Sequence, residues 1–494
     1  MLLKSMVTRH AGRSLAAALG AVSLFSACAT TSAQAPVLTM PHTAPETAST
    51  GSAIGKAAPV ADARASRWPS RIRFIEDDYA AARAEAKASK RPLFVDSWAT
   101  WCHACLSMRA FVLPDVGLRA VNDAVVWLSI ETEQEKNRGF VETFPAEGLP
   151  TFLIIDPDDE QILGRWLGSG SANEMRGFVQ AGVLAYQAKR GGPAESLAAK
   201  QQRAGDLAAI KRDYAAAASA FRRAAELTVA SDGARAGRLD LLAGALAHGG
   251  TQGAIDCIKL GLEELDAMPG NSVGADFAAT IASCAQPLKD GKDAKELIAR
   301  ATARLKAWTD DPSIPFSVDD RSDVQSSLSA LQHDAGDDAA AQATQRRRAQ
   351  LLEEAARMAP DAETAATFDA HRTDCYLALG EPAKAEALLA SREKELPQDY
   401  NPPARLARVL LEEMKLPAAL GAVDRALALM TKGQRRVGIL ALKARILAAD
   451  GKPRDAVLRE ELEVLRGLPT TQRRPESEAA LEKELASLRS GAVR

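Results

Sequence analysis

Residues 95–105 read VDSWATWCHAC, and the reading of this stretch decides the rest. Two cysteines separated by two residues can be half of a zinc site, a haem tether, a small structural disulfide, or a pair that exchanges disulfides with other proteins. A c-type haem tether requires His directly after the second cysteine, but Leu106 stands there. A structural zinc site takes four ligands, usually from two close pairs, and no second close Cys or His pair accompanies this one, so no metal is expected. An inert bridge would close too short a loop to stabilise the fold much. Redox exchange suits the setting. PLFVDSW is a short apolar run behind Pro92, as for a buried strand, and CHACLSMRAFV has helical spacing. Cys102 then falls at a helix N-terminus, where unpaired N–H groups and the macrodipole favour its thiolate. Lowering a thiol from ~8.5 to ~7 raises its neutral-pH thiolate fraction about 15-fold, while falling nucleophilicity offsets about 5-fold of that. The larger benefit is a better leaving group.

The pattern around the pair alternates. Residues 76–90 (EDDYAAARAEAKASK) have helical spacing, AVVWLSIE reads as a second buried strand, and TFLIIDPDDEQILGRW as two strands about an Asp-Pro-Asp-Asp turn. SANEMRGFVQAGVLAYQAK is a closing amphipathic helix capped by Ser171. The alternation predicts an α/β sheet over residues 70–190 with helices on both faces.

VDSWATWCHAC resembles the active-site segment of the thioredoxin family, and GLPT at Gly148–Thr151 resembles its cis-proline loop. Within the family the stretch from KRPLFVDSWATWCHAC through AVVWLSIETE to GLPTFLIID is most similar to the C-terminal thioredoxin-like domain of the DsbD transmembrane electron carriers. The resemblance implies a thioredoxin fold without a cofactor, with Cys102 as attacking thiolate and Cys105 as resolving thiol. It also implies that Asp96 is a buried carboxylate that helps move the Cys105 proton. Desolvation would raise the Asp96 pKa towards neutrality; the alternative is a solvent-facing strand end. Pro150 would be cis, the Leu149 backbone would pair with an extended substrate segment, and Trp101 would pack beside the site. His103 departs from the usual residues. Protonated, it would favour the Cys102 thiolate and shift the couple towards oxidising; turned to solvent, it would do little.

The N-terminus has the form of an export signal over residues 1–28: Lys4, Arg9 and Arg13 precede the run LAAALGAVSLFSA, 13 residues and too short to span a bilayer. FSAC at Phe25–Cys28 resembles a bacterial lipobox, with Phe25 where Leu is usual; it implies lipidation of Cys28 and, with Ala29 following, sorting to the outer membrane. Cleavage after Ala33-Gln34-Ala35 is the alternative. Residues 29–69 are rich in Ala, Pro, Thr and Ser and read as a flexible tether.

Over residues 196–490 strand signals vanish, and Ala and Leu dominate. Gly205, Tyr214, Ala217, Phe221 and Ala224 stand at the spacing of a tetratricopeptide (TPR) repeat. Gly249, Gly336, Gly380 and Gly451 each precede an alanine by five residues (Ala254, Ala341, Ala385, Ala456), as expected where a glycine ends one helix and a small residue packs the next. This predicts an all-α, TPR-like solenoid that binds a protein or peptide. Cys257, Cys284 and Cys375 read as buried apolar residues, with a Cys257–Cys284 bridge as the alternative. A formal net charge of -2 with mixed signs argues against nucleic acid.

The expectation is an exported, periplasmic, lipid-anchored thiol-disulfide oxidoreductase, leaning to reductase. Its partners would be oxidised exported proteins or apocytochromes, with a membrane thiol as electron donor. The rival readings are an envelope scaffold whose α/β domain only docks, and a redox sensor.

Overall fold

The computed structural model describes residues 72–491 apart from positions 315 and 431. The export signal, Cys28 and the 29–69 tether lie outside the described residues. The α/β part runs β1 (Ile75–Glu76), α1 (Tyr79–Ser89), β2 (Leu93–Trp98), α2 (His103–Ser107), β3 (Val126–Glu131), α3 (Arg138–Thr143), β4 (Thr151–Ile155), β5 (Ile162–Leu167) and α4 (Ala172–Ala188). The sheet order is β1-β3-β2-β4-β5. β1 and β2 run parallel to β3, β4 is antiparallel to β2, and β5 is antiparallel to β4.

β2 and β3 are apolar on both sides because both faces of the sheet are covered. Phe94, Phe152 and Ile154 pack with Met108, Met175 and Val179 on one face; Leu93, Val95 and Leu153 pack with Ala82, Ala86 and Phe140 on the other. α4 starts at a capping box: Ser171 accepts from the Glu174 N–H and Glu174 bonds back to the Ser171 N–H. Two elements were not read from the sequence, β1 and α3. β1 is too short to show a period, and it displaces the start of α1 from residue 76 to Tyr79, where Asp78 accepts from the Ala81 N–H at 2.9 Å.

Sixteen helices follow among the described residues, from α5 (Leu197–Ile210) to α20 (Pro475–Gly491), and consecutive helices pack against each other. In the first pair, α5 and α6 (Tyr214–Glu226), the Phe221 ring lies 2.5 Å from where a Cβ on Gly205 would stand, so the close crossing requires glycine. Gly336, Gly380 and Gly451 have the positive φ of helix-ending glycines. At the fourth position the role falls to Gly250 (φ 61°) instead of Gly249, and Ala456 is exposed, the contact being made by Val457 and Leu458. Cys257 and Cys284 are bonded, S–S 2.15 Å, linking α8 (Gly250–Glu264) to α9 (Ser272–Ala285). The simpler expectation of two unpaired apolar side chains is thereby corrected: packing of successive helices brings their Cα atoms to 6.2 Å. Cys375 is free and buried, as expected. Among the described residues, no helix is long and apolar enough to cross a membrane.

The solenoid closes back on the α/β part. Thr471 Oγ1 donates to the Val141 carbonyl at 3.2 Å, Glu133 Oε1 accepts from the Arg435 N–H at 2.6 Å, and Phe111 stacks on Phe368 at 5.7 Å between centroids.

Candidate active site

β2 ends at Trp98, and α2 begins five residues later. Cys102 is the N-cap of α2, its sulfur accepting from the Cys105 N–H at 3.1 Å. The geometry follows from the helix start: the first N–H groups have no intrahelical acceptor, and a thiolate there would be met by them. Cys102 and Cys105 are disulfide-bonded at 2.06 Å, with Cα atoms 5.2 Å apart. Cys105 is 1% exposed and Cys102 5%. Trp98, Trp101 and Leu149 pack against them, and the Leu149–Pro150 bond is cis. Cys102 at the helix start and Pro150 in the proline loop, 48 residues apart in sequence, thus meet at the sulfurs through the pairing of β2 with β4.

Asp96 is on β2, paired in register with Ser129 and Phe152. It is 1% exposed, which excludes the solvent-facing alternative. Burial pushes its carboxyl up to about 6, against the pull of Arg109. Arg109 Nη1 donates to Asp96 Oδ2 at 2.9 Å and to Ser129 Oγ at 2.7 Å, and the guanidinium lies 4.1 Å from the Trp98 ring centre. Sequence reasoning missed Arg109. The available signal was its place one helical turn beyond Cys105.

His103 faces the solenoid. Burial and the nearby Arg348 and Arg405 guanidiniums hold its pKa below the ordinary range, against the opposing pull of Asp323 and Asp374. The imidazole is therefore neutral near pH 7, so it does not supply the positive charge considered from sequence.

The loop before Cys102 is fixed from the far end of the chain. Thr100 Oγ1 and Tyr400 OH share a hydrogen bond at 2.8 Å, and Asn401 Nδ2 donates to the Thr100 carbonyl at 3.1 Å. Trp101 packs on the apolar cluster that holds Tyr400, Ala404 and Ile439. No sequence signal marked Tyr400 or Asn401, because contacts across 300 residues leave none.

Cys102 opens onto a cavity of about 1440 Å³ between the α/β part and the solenoid. Trp101, Cys102, His103 and Leu149 line one wall; Asp206, Arg238 and Tyr214 are on the other. This volume exceeds the ~300–1,000 Å³ of small-molecule sites and suits a segment of polypeptide.

Comparison with known proteins bears on this architecture. Residues 74–157 match the thioredoxin-like family model. The thiol:disulfide interchange protein DsbD of Pseudoalteromonas atlantica is 31% identical over 115 residues, which is 23% of this chain and 18% of that protein. The chloroplastic thioredoxin-like protein CITRX of Arabidopsis thaliana is 31% identical over 98 residues, covering 18% of this chain and 51% of its own length. The chain thus spans under a fifth of the first relative and about half of the second. A tetratricopeptide repeat protein from Parabacteroides merdae overlays on 58% of this chain and 97% of its own, at 11% identity and a TM-score of 0.35. The repeat assignment itself rests on the helix pairing described above. The chain carries a thioredoxin-like domain, followed by a solenoid of helices packed in succession.

Proposed function

We propose that this protein is an exported thiol-disulfide oxidoreductase, acting as a reductase on a polypeptide segment admitted to the cavity beneath its own solenoid. The observation that carries the reading is Cys102 at the α2 N-terminus, beside the Leu149–Pro150 loop and open to the cavity. In the reductive half-cycle the Cys102 thiolate attacks one sulfur of the substrate disulfide, forming the Cys102–substrate bond and expelling the other substrate sulfur as a thiolate. The Cys105 thiol loses its proton to Asp96, attacks Cys102, and releases the second substrate thiolate. The protein is left oxidised and the substrate has gained two electrons. A buried carboxyl pushed up to about 6, on the strand that leads to the pair, suits that proton transfer. A membrane thiol would return the reducing equivalents.

The Cys257–Cys284 bond supports an oxidising compartment, consistent with the export signal and lipidation at Cys28 proposed from sequence. Cys105→Ser tests the reading. In the native compartment it should accumulate mixed disulfides through Cys102, and their absence would refute it. Direction follows from the partners trapped.

The hydrogen bonds that join Tyr400 and Asn401 with Thr100 favour a second reading, in which the state of the pair is relayed to the solenoid. Hydrogen exchange at residues 400–412 should differ between the oxidised and reduced protein if that is so.

A further inference from the structure

His103 is the member of the CHAC stretch that the thiol chemistry leaves unused, and its Nε2 is buried without a hydrogen-bond partner. Two solenoid helices bring ligand-type groups to it. From α14 (Asp369–Ala378), His371 approaches with ring centroids 3.9 Å apart. From α11 (Val318–Asp334), Asp323 places Oδ1 3.5 Å from His371 Nε2. One ligand atom from each of His103, Asp323 and His371 lies within 4.8 Å of the others.

The surroundings are those of a built site. His371 is 6% exposed, and its Nδ1 is 3.0 Å from Ser322 Oγ, which accepts from Arg348 Nε at 3.0 Å. With Nδ1–H donating to Ser322, the Nε2 lone pair turns toward Asp323 and His103, which is how proteins orient a ligating imidazole. Asp319, 5% exposed, sits 3.8 Å from His371 Nδ1, and both its carboxylate oxygens lack a hydrogen-bond partner. Carboxylates buried this way gain from a nearby cation.

We infer that His103, Asp323 and His371 form a binding site for a divalent transition metal of the zinc type, at the junction of the redox loop and the solenoid. Two imidazoles and a carboxylate suit zinc or cobalt and not calcium or magnesium, which prefer all-oxygen sets. A tetrahedral ion with ~2.05 Å bonds needs ligand atoms about 3.3 Å apart. The Asp323 side chain, 40% exposed, has room to close that gap. Binding moves no electrons: the ion replaces water and any proton on Asp323. It would fasten α11 and α14 to the redox loop and place positive charge one residue past Cys102. The inference is independent of the proposed thiol chemistry.

The test uses the full chain in its oxidised form, so that Cys102 and Cys105 cannot ligate, titrated with cobalt(II) and then zinc(II). The expected result is one cobalt per chain with visible d–d bands of tetrahedral geometry, no sulfur-to-metal charge-transfer band, and displacement by zinc. His371→Gln and Asp323→Asn should each weaken binding by at least about 10-fold. Circular dichroism of the metal-free variants checks folding; should His371→Gln not fold, Asp323→Asn, at a partly exposed position, decides alone. No stoichiometric binding by the wild type, or binding that Asp323→Asn leaves unchanged, overturns the inference.

Discussion

Cys102–Cys105 and Cys257–Cys284 are the same covalent bond in two environments. The first closes a separation of three residues at a helix start and opens onto a cavity. The second spans 27 residues and ties two packed helices inside the solenoid core, with Cys257 fully buried. In the chain-entropy picture the longer loop constrains the unfolded state by about 3.5 kcal/mol and the shorter by about 2 kcal/mol. Only the first has an N–H donor aimed at its sulfur, and the strand that leads to it carries a buried carboxyl pushed up to about 6. The difference teaches that loop length and the groups set around the sulfurs, not the bond, separate a structural from an exchanging disulfide.

Substitution of the cysteines should break the comparison if it is wrong. Cys102→Ser is expected to lower the reduction of a disulfide substrate, followed as insulin precipitation with dithiothreitol, on the order of 1,000-fold. Replacing Cys257 and Cys284 together by Ala should leave that rate within about twofold. A large loss from the solenoid pair would mean that the helices shape the redox centre directly.

Stability should show the reverse order. The Cys257→Ala, Cys284→Ala variant is expected to lose about 3 kcal/mol in denaturant unfolding, and Cys102→Ser no more than about 2 kcal/mol.

The pH profile sharpens the contrast further. Because Asp96 titrates near 6 in the folded chain against 3.8 ordinarily, the native state binds the extra proton. Its contribution to stability is present below pH ~4 and lost as pH rises through ~6, about 3 kcal/mol in all. Asp96→Asn should remove that slope from the unfolding free energy, with the difference from wild type measured between pH 4 and 7. It should also slow the release of the mixed disulfide above pH 6. A difference curve that is flat would show that Asp96 ionises freely.

The smallest effect expected is from Tyr400→Phe. Loss of the hydrogen bond to Thr100 should cost about 1 kcal/mol and speed hydrogen exchange at the Ala99–Cys102 loop.

Local pattern carried much of this in advance. β2, β3 and the hairpin of β4 and β5 were legible from apolar runs bounded by turn residues, and α4 from its capping box. The redox pair was legible because both cysteines lie on one turn. Arg109 had only a faint signal, one helical turn past Cys105, and β1 had none. The pairing of Cys257 with Cys284 stood open until helix packing set their separation.

What the sequence determined by itself is what short-range physics controls: strand and helix periods, the helix start that holds Cys102, the proline loop, and the small residues that let helices cross. Only the tertiary structure decided that Tyr400 and Asn401 grip Thr100, that a cavity opens at Cys102, and that His103 meets Asp323 and His371. Those groups are hundreds of residues apart, and a chain encodes such meetings in the sum of its packing, not in any local pattern.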